Sequence, residues 1–213
     1  MSDIANAISR LSRWYTGDVH DVMDHHGVYG FLEGISLFGA LRPGEIVCGE
    51  AVTVRYAPST RHVPQDAYHG AIDTIAKGSI LVVDSSCAEG SGTGELMSTG
   101  AKTAGAAATI VNGTVRDIAE VKTLGYPLYA QGVSPVGVGG RMEPKEAGVP
   151  ITIGKVTINP GDIVLADING VVVIPRALAT TIADDADRNG EAESRARERI
   201  LAGEKLQSIW PMN

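Results

Sequence analysis

The segment from Gly94 to Asp117 limits the possible folds more than any other part of the chain. Ser79-Ile80-Leu81-Val82-Val83-Asp84 reads as a short buried strand, Thr109-Ile110-Val111 as a second, and the Ala-, Leu-, Met- and Lys-rich stretch 95–107 between them as a helix. A right-handed crossover makes the two strands parallel and places both carboxyl ends on one edge of a sheet. Glu95, which opens the helix, and Arg116-Asp117, which follow the second strand after twenty intervening residues, then face a common crevice.

That constellation suits a small acid and a cation held together. Gly90, Gly92 and Gly94 allow close backbone approach, and the first free amides of the helix, at Gly94, Glu95, Leu96 and Met97, favour an anion. Arg116 can grip a carboxylate with two parallel hydrogen bonds, and Asp117 is a hard oxygen ligand for Mg2+ or Mn2+. The bland alternative stays open: Asp117 as the N-cap of a following helix, Arg116 as its ion-pair partner, and Glu95 as a favourable charge at a helix N-terminus.

The Glu95/Arg116-Asp117 spacing, set in GELMSTGAKTAGAAATIVNGTVRDIAEVKTLGYPLYAQG and continued through GSILVVD and PGDIVLADINGVVVIP, resembles the RraA-like family. That family includes class II pyruvate aldolases acting on 4-hydroxy-4-methyl-2-oxoglutarate. The resemblance implies an α/β fold, a layered β/β/α swivelling-type domain with mixed sheets and a C-terminal helix. It also implies a metal-dependent lyase that releases pyruvate from a 4-hydroxy-2-oxo acid and decarboxylates oxaloacetate. Asp117 would hold the metal, Arg116 and the amides of Gly94 to Met97 the acid, and Glu95 would orient metal-bound water. Sites of the resembling aldolases lie at subunit interfaces of trimers or hexamers, where a C-terminal glutamate of a neighbour reaches the metal-bound waters; Glu193 is assigned that role. Other members are described as ribonuclease regulators without chemistry of their own, which gives a competing reading as a binding protein.

The rest of the chain sets bounds. Its 213 residues, 44% hydrophobic, fit a single RraA-like domain over 1–213, and a net charge of −7 disfavours nucleic acid as a partner. The first fifteen residues carry charges where a secretory signal would be apolar, and no run approaches a membrane span, so a cytoplasmic protein is expected. Cys48 and Cys87 show no metal-ligand spacing and suggest no disulfide framework.

Residues 3–15 have helical apolar spacing, and 16–27 form a second helix capped by Thr16 and stopped by Gly27. On it Asp21 and His25 fall one turn apart, a rival metal pair without a third ligand. A strand over 50–57 leads to a loop, 58–64, with Arg61 and His62, read as an ordinary polar surface loop with a border of the pocket as the alternative; a helix over 65–77 carries His69, which reads as packed or exposed. Gly90-x-Gly92-x-Gly94 looks superficially like a nucleotide loop, but no acidic ribose-binding residue follows the next strand. Residues 117–124 form a short helix, 127–129 a strand, and the glycine-rich stretch 132–148 an irregular excursion able to act as lid or subunit contact. Strands at 151–153, 156–158, 163–166 and 171–174 are broken by turns that suggest antiparallel pairing. The tail 176–206 is a charged helix in which Glu191, Glu193 and Glu198 alternate with Arg195, Arg197 and Arg199. Lys102 is expected to face solvent, so no Schiff-base lysine is invoked.

Overall fold

The computed structural model describes residues 3–209. In chain order it begins with helices α1 (Asp3–Leu11) and α2 (Thr16–His25), a two-residue strand β1 (Ser36–Leu37), a long strand β2 (Val47–Pro58) and helix α3 (Asp66–Asp73). The central unit follows: β3 (Ile80–Asp84), β4 (Ser91–Thr93), α4 (Glu95–Ala104), β5 (Ala108–Val115), α5 (Ile118–Leu124) and β6 (Leu128–Val133). Strands β7 (Met142–Ala147), β8 (Ile151–Ile153), β9 (Val156–Ile158), β10 (Ile163–Asp167) and β11 (Gly170–Ile174) come next. A 3-10 turn (Arg176–Leu178) leads into helices α6 (Ala179–Leu201) and α7 (Leu206–Ile209).

Nine strands form one mixed sheet in the order β1-β6-β5-β3-β2-β10-β11, with β4 added beside β5 and β7 beside β2. Its middle is parallel, with Ile80 opposite Ala108 and Asp84 opposite Asn112, as the crossover argument requires. Strand β2 links two halves: residues 47–50 pair with β10, and residues 51–55 pair with β3.

Strand alternation then explains the layers. Ile80 and Val82 join Ala108, Ile110, Val164 and Val173 in a core between the two halves, closed by Ile151, Ile153 and Ile158 of the β8–β9 hairpin. The alternate residues Leu81 and Val83 turn the other way, onto Tyr68 and Ile72 of α3, Ala101 of α4 and Val121 of α5. On the second half Ile163, Leu165, Val172 and Ile174 face α1, α2 and α6. The result is the layered β/β/α arrangement with a C-terminal helix expected from the resemblance.

Helix α6 packs on α1 through Arg10, which donates to Asp184 and Asp187 at 2.6 Å each, and through Trp14, whose indole N–H donates to Asp187 at 2.8 Å. The Trp14 ring lies directly against Gly190, leaving no room for a Cβ there. Gly190→Ala, which would stabilise an open helix, should therefore lower stability by about 1–3 kcal/mol through overpacking, measured by urea unfolding.

Several boundaries differ from expectation. Thr16 does not cap α2: its hydroxyl and amide both donate to Asp167, at 2.8 and 2.9 Å, and Tyr15 is the N-cap residue. The buried carboxylate of the β10–β11 turn outcompetes the helix end for that hydroxyl. Helix α3 stops at Asp73, and the stretch 132–148 is not wholly irregular, because Met142–Ala147 pairs antiparallel with β2. The glycine run is likewise partly strand: β4 lies parallel to β5, so Gly92 occupies a sheet position rather than a phosphate loop. The tail breaks at 202–205, where Arg199 turns to Glu204 at 2.7 Å. The antiparallel pairings of β8 with β9 and β10 with β11 are as read. Among the described residues, no helix is long and apolar enough to cross a membrane.

Candidate active site

Strands β4 and β5 end side by side, and the chain leaves both at the same edge of the sheet. Arg116 continues the pairing through its amide, which donates to the Thr93 carbonyl at 3.1 Å. Asp117 then adopts φ 58°, ψ 40°, the one non-glycine residue with positive φ among those described. Asp tolerates this left-handed conformation better than most residues, yet at a cost that points to a local demand.

The demand is visible in the side chain. Asp117 does not cap α5 with its carboxylate; its Oδ2 instead accepts the Glu95 N–H at 3.0 Å, across the entrance of α4. The Arg116 Nε lies 3.4 Å from the same oxygen. A helix-opening amide and a guanidinium thus fix one oxygen of Asp117 and leave Oδ1 without a protein partner among the described residues. Gly94 makes this convergence possible: a Cβ at that position would overlap Asp117 Oδ2 and lie 3.1 Å from Arg116 Cγ and Nε.

Arg116 lines a cavity of about 250 Å³ together with Gln65, Thr93, Gly94, Met97 and Gly137. Gly137 keeps it open, since a Cβ there would lie 3.3 Å from Arg116 Nη1. The far wall is the stretch 137–140, backed by the loop before α3: Gly140 N–H donates to the Arg61 carbonyl at 3.2 Å, and the His62 ring covers Gly139. The loop with Arg61 and His62 therefore borders the site through its backbone and a packed imidazole.

The structure brings together Gly94, the amide of Glu95, Met97, Arg116 and Asp117. It corrects two details. The Glu95 amide is spent on Asp117, so it is not free for a ligand; Leu96 and Met97 remain as helix-opening amides. The Glu95 carboxylate bends back to accept the Thr99 hydroxyl at 2.8 Å and lines a separate, adjoining cleft with Ala119, Glu120 and Thr123. Glu95 thus meets Asp117 through its backbone, while its carboxylate lies in the adjoining cleft and not among the residues that line the Arg116 cavity.

Glu193 lies elsewhere in the chain. On α6 it accepts the Asn189 amide at 3.1 Å and the Tyr15 hydroxyl at 3.5 Å, on the β10–β11 side of the sheet. It also faces Asp18, a carboxyl only 5% exposed. Burial, then the neighbouring Glu193, pushes the Asp18 pKa up to about 7. A folded-state value above the unfolded one means stability is fully present below about pH 4 and is lost as pH rises through about 7. The melting temperature should fall by roughly 5 °C between pH 5 and 8, and Asp18→Asn should flatten that slope in calorimetry.

The rival constellations do not assemble. His20 approaches Asp24 at 3.5 Å and His26 bonds Asp185 at 2.7 Å, while Asp21 and His25 gain no third ligand. Among the described residues, no group of three or more His, Cys, Asp or Glu could hold a metal. Lys102 is exposed, as read, and its ammonium donates to the Leu124 carbonyl at 2.5 Å at the end of α5. A larger cavity, of about 560 Å³, opens between residues 41–46 and the β10–β11 turn. Its Asp167 is consumed by Thr16 and Asn169, so chemistry rather than size identifies the site. Gln65 and Thr93, which also line the Arg116 cavity, belong to no spaced motif, so the sequence does not mark them.

Comparison with known proteins identifies the family. The family model described as "RraA-like: Aldolase/RraA" matches residues 16–173. The chain belongs to the RraA-like family. Protein DlpA of Legionella pneumophila is 30% identical over 209 residues, covering 95% of this chain and 33% of DlpA, so the chain spans about a third of that relative. A Halalkalibacterium halodurans protein provisionally named as a 4-hydroxy-4-methyl-2-oxoglutarate aldolase is 31% identical, covering 76% of this chain and 75% of its own. Among solved structures, Streptomyces coelicolor RraAS2, described as an unusual member of the RNase ES inhibitor RraA family, superposes with TM-score 0.83. It shares 27% identity over 91% of this RraA-like chain and 98% of its own.

Proposed function

We propose that this RraA-like protein is a divalent-cation-dependent lyase that cleaves a 4-hydroxy-2-oxo acid to pyruvate and a carbonyl compound, and that the same site decarboxylates oxaloacetate. The observation that carries this reading is the convergence of Arg116, which lines a small polar cavity, with Asp117, whose Oδ1 is left open among the described residues. One open carboxylate oxygen, in a place reachable by water, fits Mg2+ or Mn2+, which are commonly held by one or two carboxylates with water completing the shell. Such a cation, when bound, supplies Lewis-acid stabilisation of charge developing on the 2-oxo oxygen.

The chain's own groups account for the rest. Arg116 binds the substrate carboxylate in a planar, two-bond grip, assisted by the Leu96 and Met97 amides at the start of α4. Asp117 is held rigid by the Glu95 amide, so its free oxygen needs no reorganisation. Glu95, turned from Thr99 toward the cavity, takes the proton of the 4-hydroxyl as the C3–C4 bond breaks; that proton is then available to C3 of the departing pyruvate enol. The Glu193 assignment enters only through a neighbouring subunit in a homotrimer or hexamer, and a monomer in sedimentation would remove it. A cytoplasmic location accords with the reading.

The likeness to RraAS2 favours a second reading, a regulator that binds a ribonuclease. A pyruvate-coupled screen of 4-hydroxy-2-oxo acids separates the two. The lyase reading expects turnover with Mg2+ or Mn2+ that falls at least about 10³-fold with excess EDTA and returns on adding the cation. No pyruvate from any member of the panel, at any cation concentration, leaves the regulator.

A further inference from the structure

We propose that two buried tyrosines, Tyr56 and Tyr68, fix the hydrogen-bond polarity of the Arg116 cavity, so that Gln65 and Thr93 present donors to the part of the bound acid that Arg116 does not hold. The inference rests on reading this cavity as the acid-binding site.

Tyr68 is completely buried, and its hydroxyl meets one partner, Thr93 Oγ1, at 2.6 Å. Each of these hydroxyls has one proton. If Thr93 donated, the Tyr68 proton would be stranded in the apolar layer between α3 and the sheet, desolvated with no acceptor to offset the loss. Tyr68 therefore donates. The Thr93 proton stays free, and Thr93 is the member of the pair on the cavity wall.

The second pair works the same way. Tyr56, 4% exposed, has its hydroxyl 2.9 Å from Gln65 Oε1 and 3.4 Å from the Gly92 carbonyl. The shorter bond takes its proton, Gln65 Oε1 is the acceptor, and both protons of Gln65 Nε2 remain for the cavity. Burial pushes both phenols well above their ordinary range, so neither donor is lost at any physiological pH. The rings brace each other edge to face at 6.2 Å.

The consequence is a cavity whose side-chain chemistry is one-sided. Ser91 donates to the Ser134 carbonyl at 2.5 Å and is spent. Arg116, Gln65 and Thr93 are left, all as donors, and no carboxylate is among the lining residues. A ligand that fills it needs acceptor oxygens at both ends: a carboxylate for Arg116, and a second carboxylate or carbonyl for Gln65 and Thr93. An acid with an apolar tail leaves those donors unpaired, and that mismatch is the source of selectivity.

Calorimetric titration with Mg2+ present tests this with two probes of equal chain length, 2-oxoglutarate and 2-oxovalerate. The wild type should bind 2-oxoglutarate at least about tenfold more tightly. Thr93→Val and Gln65→Leu should each cut that preference by about threefold or more with little change for 2-oxovalerate, and Thr93→Ser should restore it. Tyr68→Phe, out of reach of the ligand, should shift the preference in the same direction as Thr93→Val and add nothing on top of it. Equal binding of the two probes by the wild type, binding of neither, or equal losses for both probes in Thr93→Val and Gln65→Leu would overturn the proposal. Failure of the lyase reading shows itself differently, as absent pyruvate release with these binding ratios intact.

Discussion

Asp117→Asn should leave a folded protein that has lost metal-dependent pyruvate release by more than about 10³-fold, whatever the substrate concentration. Asn tolerates the left-handed conformation that Asp117 occupies at φ 58°, and its amide oxygen can still accept the Glu95 N–H. What disappears is the charge, and with it the carboxylate oxygen that Asp117 leaves open beside Arg116. Asp117→Ala should lose the same activity and also about 1–3 kcal/mol of stability, because it gives up the bond to the α4 entrance and places an alanine in a disfavoured backbone region. Circular dichroism melts beside the pyruvate assay separate the two losses. Full turnover in Asp117→Asn at saturating substrate would remove the metal assignment.

Gly94→Ala should cost about 10²-fold in kcat/KM although the added methyl touches no substrate. The backbone there, φ −140°, suits any residue, so the effect is steric alone. The new Cβ collides with Asp117 Oδ2 and presses on Arg116, forcing both away from the positions that the Glu95 amide and the cavity wall now define. A control lies six residues on. Gly100, inside α4, has only Ile72 Cγ2 nearby, at 3.7 Å from a built Cβ. Gly100→Ala should raise stability by about 0.5–1 kcal/mol and leave kcat/KM unchanged, which steady-state kinetics and urea unfolding would show together.

The contrast between these two glycines marks how far the sequence could be read. The parallel β3-α4-β5 unit was legible because a short apolar run, a helix-forming stretch and a second apolar run leave few alternatives, and from it the meeting of Gly94, Arg116 and Asp117 follows by topology. The direction of the Asp117 side chain did not follow. An Asp before a short helix reads as its N-cap, and nothing local reveals that the carboxylate serves α4 instead, twenty-two residues away in the chain. Thr16 taught the same lesson: a hydroxyl placed to cap α2 is taken by Asp167, a partner supplied only by the fold. β4 and β7 were hidden by their composition, since Ser-Gly-Thr and a proline-containing stretch earn little strand propensity and pair because β5 and β2 offer open edges. Gln65 and Thr93 lie outside any motif, and only the buried tyrosines behind them give them a direction.

On the lyase reading, the tethers of the two carboxylates assign proton work to Glu95 and the cation to Asp117. Its carboxylate is tethered to Thr99 in its own helix, a bond that is easily exchanged, whereas Asp117 is fixed by a backbone amide. One acid on an exchangeable side-chain bond beside another fixed by a backbone amide keeps the two tasks apart.

The claim on which all of this depends is that a cation and an organic acid share the space between Asp117 and Arg116, and Mn2+ titration followed by electron paramagnetic resonance tests it most directly. One Mn2+ per chain should bind, pyruvate should tighten that binding, Asp117→Asn should abolish it, and Arg116→Ala should erase the effect of pyruvate while keeping the ion. Mn2+ binding that is unchanged in Asp117→Asn, or indifferent to pyruvate in the wild type, would contradict it.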